Sequence, residues 1–245
     1  MKRAIIIGAS SGIGRQVAQL LIQDGWHVGI AARRINRLDE LTRIGEERVK
    51  TIEMDVNTKD ATSRLRKLIS QVGGMNLFFY AAGIGKQNPM LEEDVEIKTV
   101  ETNAMGFTRM VGEAFRYFAE RAGGHIAVIS SIAGTKGLGP APSYSATKAM
   151  QNTYIQALEQ LAHQRKLNIH FTDIQPGFVK TEMLFPQHTE EDTSTQQYPM
   201  LMSSQKAAKL IVKAIYRKRH KVVIDWRWRL LTSLWRCIPH EFFTD

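Results

Sequence analysis

Short, mostly apolar runs alternate along this chain with longer stretches whose apolar residues recur every three or four positions. The short runs are Ala4–Ile7, Val28–Ala31, Thr51–Met54, Leu77–Tyr80, His125–Ile129 and Ile169–Ile174. Runs of this length and character predict strands buried on both faces. Between them, Arg15–Gln23, Leu38–Ile44, Thr58–Gln71 and Val95–Phe118 read as amphipathic helices. Gln205–Arg217 and Val222–Ile224 add a further helix and a seventh strand. Strands alternating with helices predict a parallel sheet, because parallel neighbours need a crossover connection. No internal repeat, low-complexity tract or linker divides the pattern. The expected architecture is α/β: a single doubly wound Rossmann-type domain over residues 1–225, with about seven mainly parallel strands and helices on both faces.

One stretch breaks the rhythm. Glu182–Met202 runs through Pro186, the polar segment Thr189–Gln197 and Pro199. Long loops in compact domains are usually functional, and this one follows a strand end, where open α/β sheets bind ligands. It is expected to cover a substrate.

Composition narrows the classes. The chain has 245 residues, 43% of them hydrophobic, enough for a full core. Cys237 is the only cysteine, which excludes a disulfide framework and a cysteine metal site. No metal site is expected, and a reducing, cytoplasmic setting is. The apolar run after Met1-Lys2-Arg3 is too short for the core of a signal peptide. No stretch reaches the ~20 apolar residues of a spanning helix. The net charge of +9 is concentrated: residues 206–245 hold ten Lys/Arg against three acids, a net +7. Any polyanionic partner would therefore concern the tail and not the body.

The candidate chemistry starts at Gly8-Ala9-Ser10-Ser11-Gly12-Ile13-Gly14, between the first strand and the first helix. Glycines permit a tight turn and close backbone approach, and a helix start offers free N–H groups and a positive dipole end. In this context the motif predicts a bound pyrophosphate. The second strand ends in Ala32-Arg33-Arg34, with no carboxylate before Asp39. An NAD site typically has an acid there for the ribose hydroxyls, whereas guanidiniums suit a 2′-phosphate. NADP(H) is therefore expected in preference to NAD(H), with Arg33 and Arg34 at the phosphate.

Tyr144 and Lys148 stand four apart in Tyr144-Ser145-Ala146-Thr147-Lys148. On a helix they share a face, and a nearby cation lowers a phenol's pKa toward neutral. That makes the pair a candidate acid/base.

With these residues placed, the chain resembles the short-chain dehydrogenase/reductase family over roughly residues 1–181. The glycines fit its G-x-x-x-G-x-G pattern. Asp55-Val56 resembles its adenine-contacting pair, and Asn103 its helix asparagine. Ser131, thirteen residues before Tyr144, matches its catalytic serine. Pro176-Gly177-Phe178-Val179-Lys180-Thr181 resembles the segment beside the nicotinamide, with Thr181 near the carboxamide. Two departures stand out. The family's Asn-Asn-Ala-Gly reads Tyr80-Ala81-Ala82-Gly83, keeping only Ala82 and Gly83, and Ile7 replaces the threonine before the first glycine.

The resemblance implies reversible hydride transfer between a nicotinamide and a ketone, aldehyde or alcohol. It implies that Tyr144 exchanges the proton, Ser131 holds the carbonyl oxygen and Lys148 binds the nicotinamide ribose. Asn103 would hold a water that relays protons from solvent. The resulting expectation is a reductase of a hydrophobic carbonyl. Two alternatives are a non-catalytic NADP(H)-binding regulator and a nucleotide-sugar epimerase or dehydratase. The latter usually has a different glycine spacing and a longer C-terminal domain. The family also commonly forms dimers or tetramers, for which Phe107–Phe118 and Ala146–Leu161 are apolar enough, although core packing explains them equally well.

The tail, residues 226–245, holds three of the four tryptophans. Trp228, Leu231, Leu234, Trp235 and Ile238 recur at helical spacing beside arginines. Two readings stay open: a helix packed over the site or on another subunit, and a helix lying peripherally in a membrane interface. Nucleic acid is not expected, since no docking fold accompanies the charge.

Overall fold

A computed structural model describes residues 1–185 and 198–235. Most of the polar part of the irregular loop, and tail positions such as Cys237 and Ile238, lie outside the described residues. Seven parallel strands form one sheet in the order β3-β2-β1-β4-β5-β6-β9. They are β1 Arg3–Ile7, β2 His27–Ala32, β3 Val49–Glu53, β4 Leu77–Tyr80, β5 Gly124–Ile129, β6 Ile169–Pro176 and β9 Lys221–Ile224.

Within β1 the side chains alternate across the sheet. Ala4 and Ile6 face the core beneath α1 (Gly12–Gln23) and α7 (Ser204–Tyr216), where Leu21, Ile22 and Ile211 also lie. Ile5 and Ile7 face the other core, with α3 (Ala61–Val72), α5 (Phe107–Ala119) and α6 (Pro142–Gln164). A strand that buries both faces shows no polar alternation, which explains the continuous apolar runs. Ile5 and Ile6 are fully buried, each worth roughly 1.5–3 kcal/mol of transfer free energy.

Several local details differ from the sequence reading. The helix expected over Val95–Phe118 begins at Glu93 and is interrupted by a π-turn, Glu101–Gly106, between α4 (Glu93–Val100) and α5. The first two residues of Leu38–Ile44 divide between a 3-10 turn, Ile35–Leu38, and α2 (Asp39–Gly45). Thr58–Gln71 starts late, at Ala61. The irregular loop carries an unforeseen element: β7 (Val179–Lys180) pairs in parallel with β8 (Met202–Ser203) and draws its two ends together. The apolar side of Phe107–Phe118 is turned into the core, where Phe107, Met110, Val111, Phe115 and Phe118 are buried.

Order reverses between β1 and β4, since β1 runs to β2 and β3 on one side and β4 to β5 and β6 on the other. Crossovers leave the sheet toward opposite faces at such a point and open a crevice at the strand C-termini. The candidate site residues gather there.

Candidate active site

Gly8 follows β1 with φ +91, and a Cβ there would stand 2.6 Å from the Ala82 nitrogen, just past β4. Gly14 is equally constrained, because its Cβ would lie 2.2 Å from the Gly8 carbonyl oxygen. Only hydrogen side chains let these backbones meet at the switch point. Ser11 is the N-cap of α1, yet its side chain makes no capping bond. The first turn of α1, with Gly12 and Ile13, therefore presents amide donors and a positive dipole end outward. Gly12 faces the Thr181 methyl, so the Pro176–Thr181 segment lies against the glycine turn. Pro176 ends β6 and Val179 is buried in β7.

At the end of β2, Arg34 reaches toward the Ser10 and Ser11 hydroxyls, 3.5 Å from each, and bonds Glu182 at 3.0 Å. Arg37 pairs with the other Glu182 oxygen. Burial alone would raise the Glu182 carboxyl, but the bonds from Arg34 and Arg37 hold it below its usual range. Of the expected pair, Arg34 joins this Glu182 cluster together with Arg37, and Arg33 is exposed beside it. Residues i and i+3 eclipse on a 3-10 turn, while adjacent residues point apart. Arg37 could have been found had the turn been foreseen.

Asp55 and Val56 follow β3. Asp55 Oδ1 accepts the Asn57 N–H at 3.0 Å, and Val56 is buried. After β4, a Cβ on Gly83 would lie 3.2 Å from Asn103 Oδ1 and 3.7 Å from Lys148 Nζ. One on Gly85 would meet the Tyr144 ring at 2.8 Å. Gly85 carries no motif, and its only signal in the sequence is its place two residues beyond Gly83. Tyr80, where the family has asparagine, is fully buried and packs edge-on to Phe107 at 5.3 Å.

Ser131 lies two residues beyond β5 as N-cap of the turn Ile132–Thr135, its Oγ accepting from the Ala133 N–H at 3.0 Å. Tyr144 and Lys148 lie one turn apart near the start of α6. Burial pushes the Tyr144 phenol above its ordinary value, and a hydrogen bond with Ser131 pulls it the other way. The lowering expected from Lys148 is not produced by this geometry. The ammonium stands 5.8 Å from the Tyr144 ring centroid and donates to Ile129 O at 3.1 Å and Gln151 Oε1 at 3.0 Å. Burial lowers Lys148 itself to about 8, with the Asp173 carboxylate pulling it back up.

Asn103 sits in the π-turn, fully buried. Its side chain accepts from the Ile84 N–H at 2.9 Å and donates to Ile84 O at 2.7 Å. It fastens the chain beyond Gly83, a role not foreseen. Its backbone carbonyl accepts from Gln151 Nε2 at 2.7 Å. Gln151 was also missed; within an amphipathic helix its sequence signal was only a polar residue on the buried side.

The turn, the strand-end serine, the tyrosine–lysine pair and the Pro176–Thr181 segment thus converge on one crevice. The matching family model, short chain dehydrogenase, spans residues 2–192. The chain belongs to the short-chain dehydrogenase family. Relatives of this dehydrogenase include an uncharacterised oxidoreductase of Myxococcus xanthus, 32% identical, covering 99% of this chain and 94% of that protein. Another, from Mycobacterium tuberculosis, is 28% identical over 97% of this chain and 94% of the relative. Among solved structures, a short-chain dehydrogenase/reductase of unknown function from Caenorhabditis elegans aligns over 100% of this chain and 98% of its own. Its TM-score is 0.79 at 22% identity, a likeness of fold. A putative short-chain alcohol dehydrogenase from Sinorhizobium meliloti 1021 gives the same TM-score at 24% identity over 94% of this chain and 96% of its own.

This dehydrogenase is thus an oxidoreductase of a family that binds a nicotinamide dinucleotide. The glycine cradle and the uncapped start of α1 fit such a group. Among the described residues, no set of three or more His, Cys, Asp or Glu could hold a metal ion. No described helix is long and apolar enough to cross a membrane.

The tail departs from the face expected of it. In α8 (Trp226–Trp235), Trp228 is buried against Phe178, while Leu231 and Leu234 on the same expected face are exposed. Trp226, Leu230 and Leu234 form an outward row, 70%, 59% and 59% exposed.

Proposed function

We propose that this protein is an NADP-dependent oxidoreductase that interconverts a ketone or aldehyde and an alcohol, working as a reductase of a hydrophobic carbonyl compound. When bound, the nicotinamide dinucleotide supplies or accepts the hydride. Gly8, Gly12 and Gly14 with the first turn of α1 would hold its pyrophosphate, and Asp55 and Val56 would flank the adenine. Ala82, Gly83, Pro176, Gly177, Val179 and Thr181 would line the nicotinamide half. The preference for NADP is supported by Arg34 and Arg37, which already share an anionic oxygen pair on Glu182.

The observation that carries the reading is the Tyr144 ring, set against Gly85 and one helical turn from Lys148, with the nearby Ser131 hydroxyl acting to lower its proton affinity. Ser131 would orient the carbonyl oxygen and stabilise developing charge, and Tyr144 would give that oxygen its proton. Lys148, fixed below the ring, would hold the cofactor's ribose. Met183, near the Tyr144 ring beside Gly85, supports an apolar substrate. So does the cluster of Phe178, Phe185 and Tyr198, with centroids 5.0 and 5.5 Å apart.

The test is NADPH oxidation over a panel of carbonyl compounds with wild-type protein and Tyr144→Phe. Wild type turns over apolar ketones; the variant binds NADPH but loses ~100-fold or more in rate, the usual scale of general acid catalysis. NADPH binding without turnover across the panel would favour a regulator, and full activity of the variant would remove Tyr144 from the mechanism.

The tail is proposed to brace the nicotinamide end through Trp228. The outward row Trp226, Leu230 and Leu234 favours a second contact, with a membrane interface. Pelleting with anionic vesicles that is lost on removal of residues 226–245 would support it, and absence of pelleting would leave only the packing role.

A further inference from the structure

Behind the tyrosine–lysine pair lies a connection that the reaction itself does not require. Gln151 is one turn along α6 from Lys148 and completely buried. Its amide carbonyl accepts from the Lys148 ammonium at 3.0 Å, and its amide nitrogen donates to the Asn103 carbonyl at 2.7 Å. Side chain and main chain thus form a continuous bridge from α6 to the π-turn.

We propose that Gln151 is a positioning residue that sets both the direction and the proton affinity of Lys148; this rests on the reading of Tyr144 and Lys148 as the reacting pair. An ammonium has three N–H donors and no acceptor. Ile129 O and Gln151 Oε1 take two of them. The third has no hydrogen-bond partner among the described residues, and Gly83 stands beside Nζ, its would-be Cβ 3.7 Å away. The lysine is held by backbone and amide, and so keeps one donor available for a ligand even though no hydrogen bond joins it to Tyr144.

The amide is chemically apt. It offers an acceptor at one end and a donor at the other, matching a cation on one side and a carbonyl on the other. A hydrogen bond to a charged group in a dry site is stronger than a neutral one, so the bridge favours the ammonium over the free amine. A primary amide neither takes up nor releases a proton near neutral pH. The direct link from Lys148 to Asn103 therefore fixes geometry without carrying protons.

Two near-isosteric variants test this. Gln151→Met removes the acceptor, and Gln151→Glu replaces it with a carboxylate. With Met, KM for the nicotinamide cofactor rises ~10-fold, the scale of one bond to a charged group, and the alkaline limb of the pH–rate profile moves down. With Glu, that limb moves up. A role in packing alone would not shift the two variants in opposite directions. Unchanged KM and an unmoved limb in both folded variants would overturn the proposal. Loss of turnover in Tyr144→Phe and Lys148→Met beside that result would leave the functional reading intact. Full activity in both would sink the reading instead. If either Gln151 variant fails to fold, hydrogen exchange of the Gln151 side-chain amide in the wild-type protein decides. Slow exchange supports the bridge, and exchange at the rate of a solvent-exposed amide refutes it.

Discussion

Trp228 lies directly across Gly177: a Cβ on that glycine would stand 2.2 Å from the indole nitrogen. The indole also meets Phe178 edge-on at 5.7 Å. A residue of the tail is therefore part of the packing around Gly177 and Phe178 beside the crevice. Replacing Trp228 with Ala should cost ~3–5 kcal/mol, the usual range for a buried large aromatic. Denaturant unfolding checks the stability, and KM for the cofactor should rise in the same variant. An unchanged KM would confine Trp228 to stability.

Gly14→Ala should abolish cofactor binding, because the Cβ would meet the Gly8 carbonyl oxygen, a backbone atom that cannot step aside. Overpacking of this kind typically costs about 1–3 kcal/mol, so the protein should remain folded. Fluorescence titration with NADPH, beside a circular dichroism melt, separates the two effects. Normal binding would show that the turn adapts.

Reversing charge at Arg34 should raise KM for NADPH ~10-fold or more and leave KM for NADH nearly unchanged, since only the former carries the 2′-phosphate. Arg33→Glu should do much less, because Arg33 lies outside the Glu182 cluster. Equal effects on both cofactors would remove the phosphate role.

His125 makes stability depend on pH at the opposite end of the sheet. It is buried, with Nε2 2.8 Å from the Thr172 hydroxyl. Burial, with the charges of His170 and Lys218, lowers it from 6.5 to about 4. The folded state thus favours the neutral ring, and between pH 6.5 and 4 the unfolded chain binds more protons. The stabilisation is complete above 6.5 and is lost progressively as pH falls through about 4, on the order of 3 kcal/mol. Unfolding free energies across this window should slope upward with pH, and His125→Gln should flatten the slope. An identical slope in the variant would assign it to the carboxylates.

Much of this was legible from local pattern. Strand positions, the glycine turn and the four-residue spacing of Tyr144 and Lys148 depend on periodicity and backbone sterics, which act over a few residues. Arg34 and Arg37 were legible only in part: their spacing means little until the chain between them is known to form a 3-10 turn, Ile35–Leu38. The tail misled for the opposite reason. Its helical spacing is real, yet Trp228 is buried while Leu231 and Leu234 are not, because the neighbour that covers it is Gly177–Phe178, some fifty residues earlier.

The sequence by itself determined the layered α/β sheet and the family, and singled out Ser131, Tyr144 and Lys148 as candidates, all through short-range spacing and motif order. Tertiary structure alone decided where the Lys148 ammonium points, that Gln151 joins it to Asn103, and that Glu182 meets Arg34 and Arg37. These contacts unite distant segments through side-chain direction. Direction is set by what packs around a residue, and no local pattern records that.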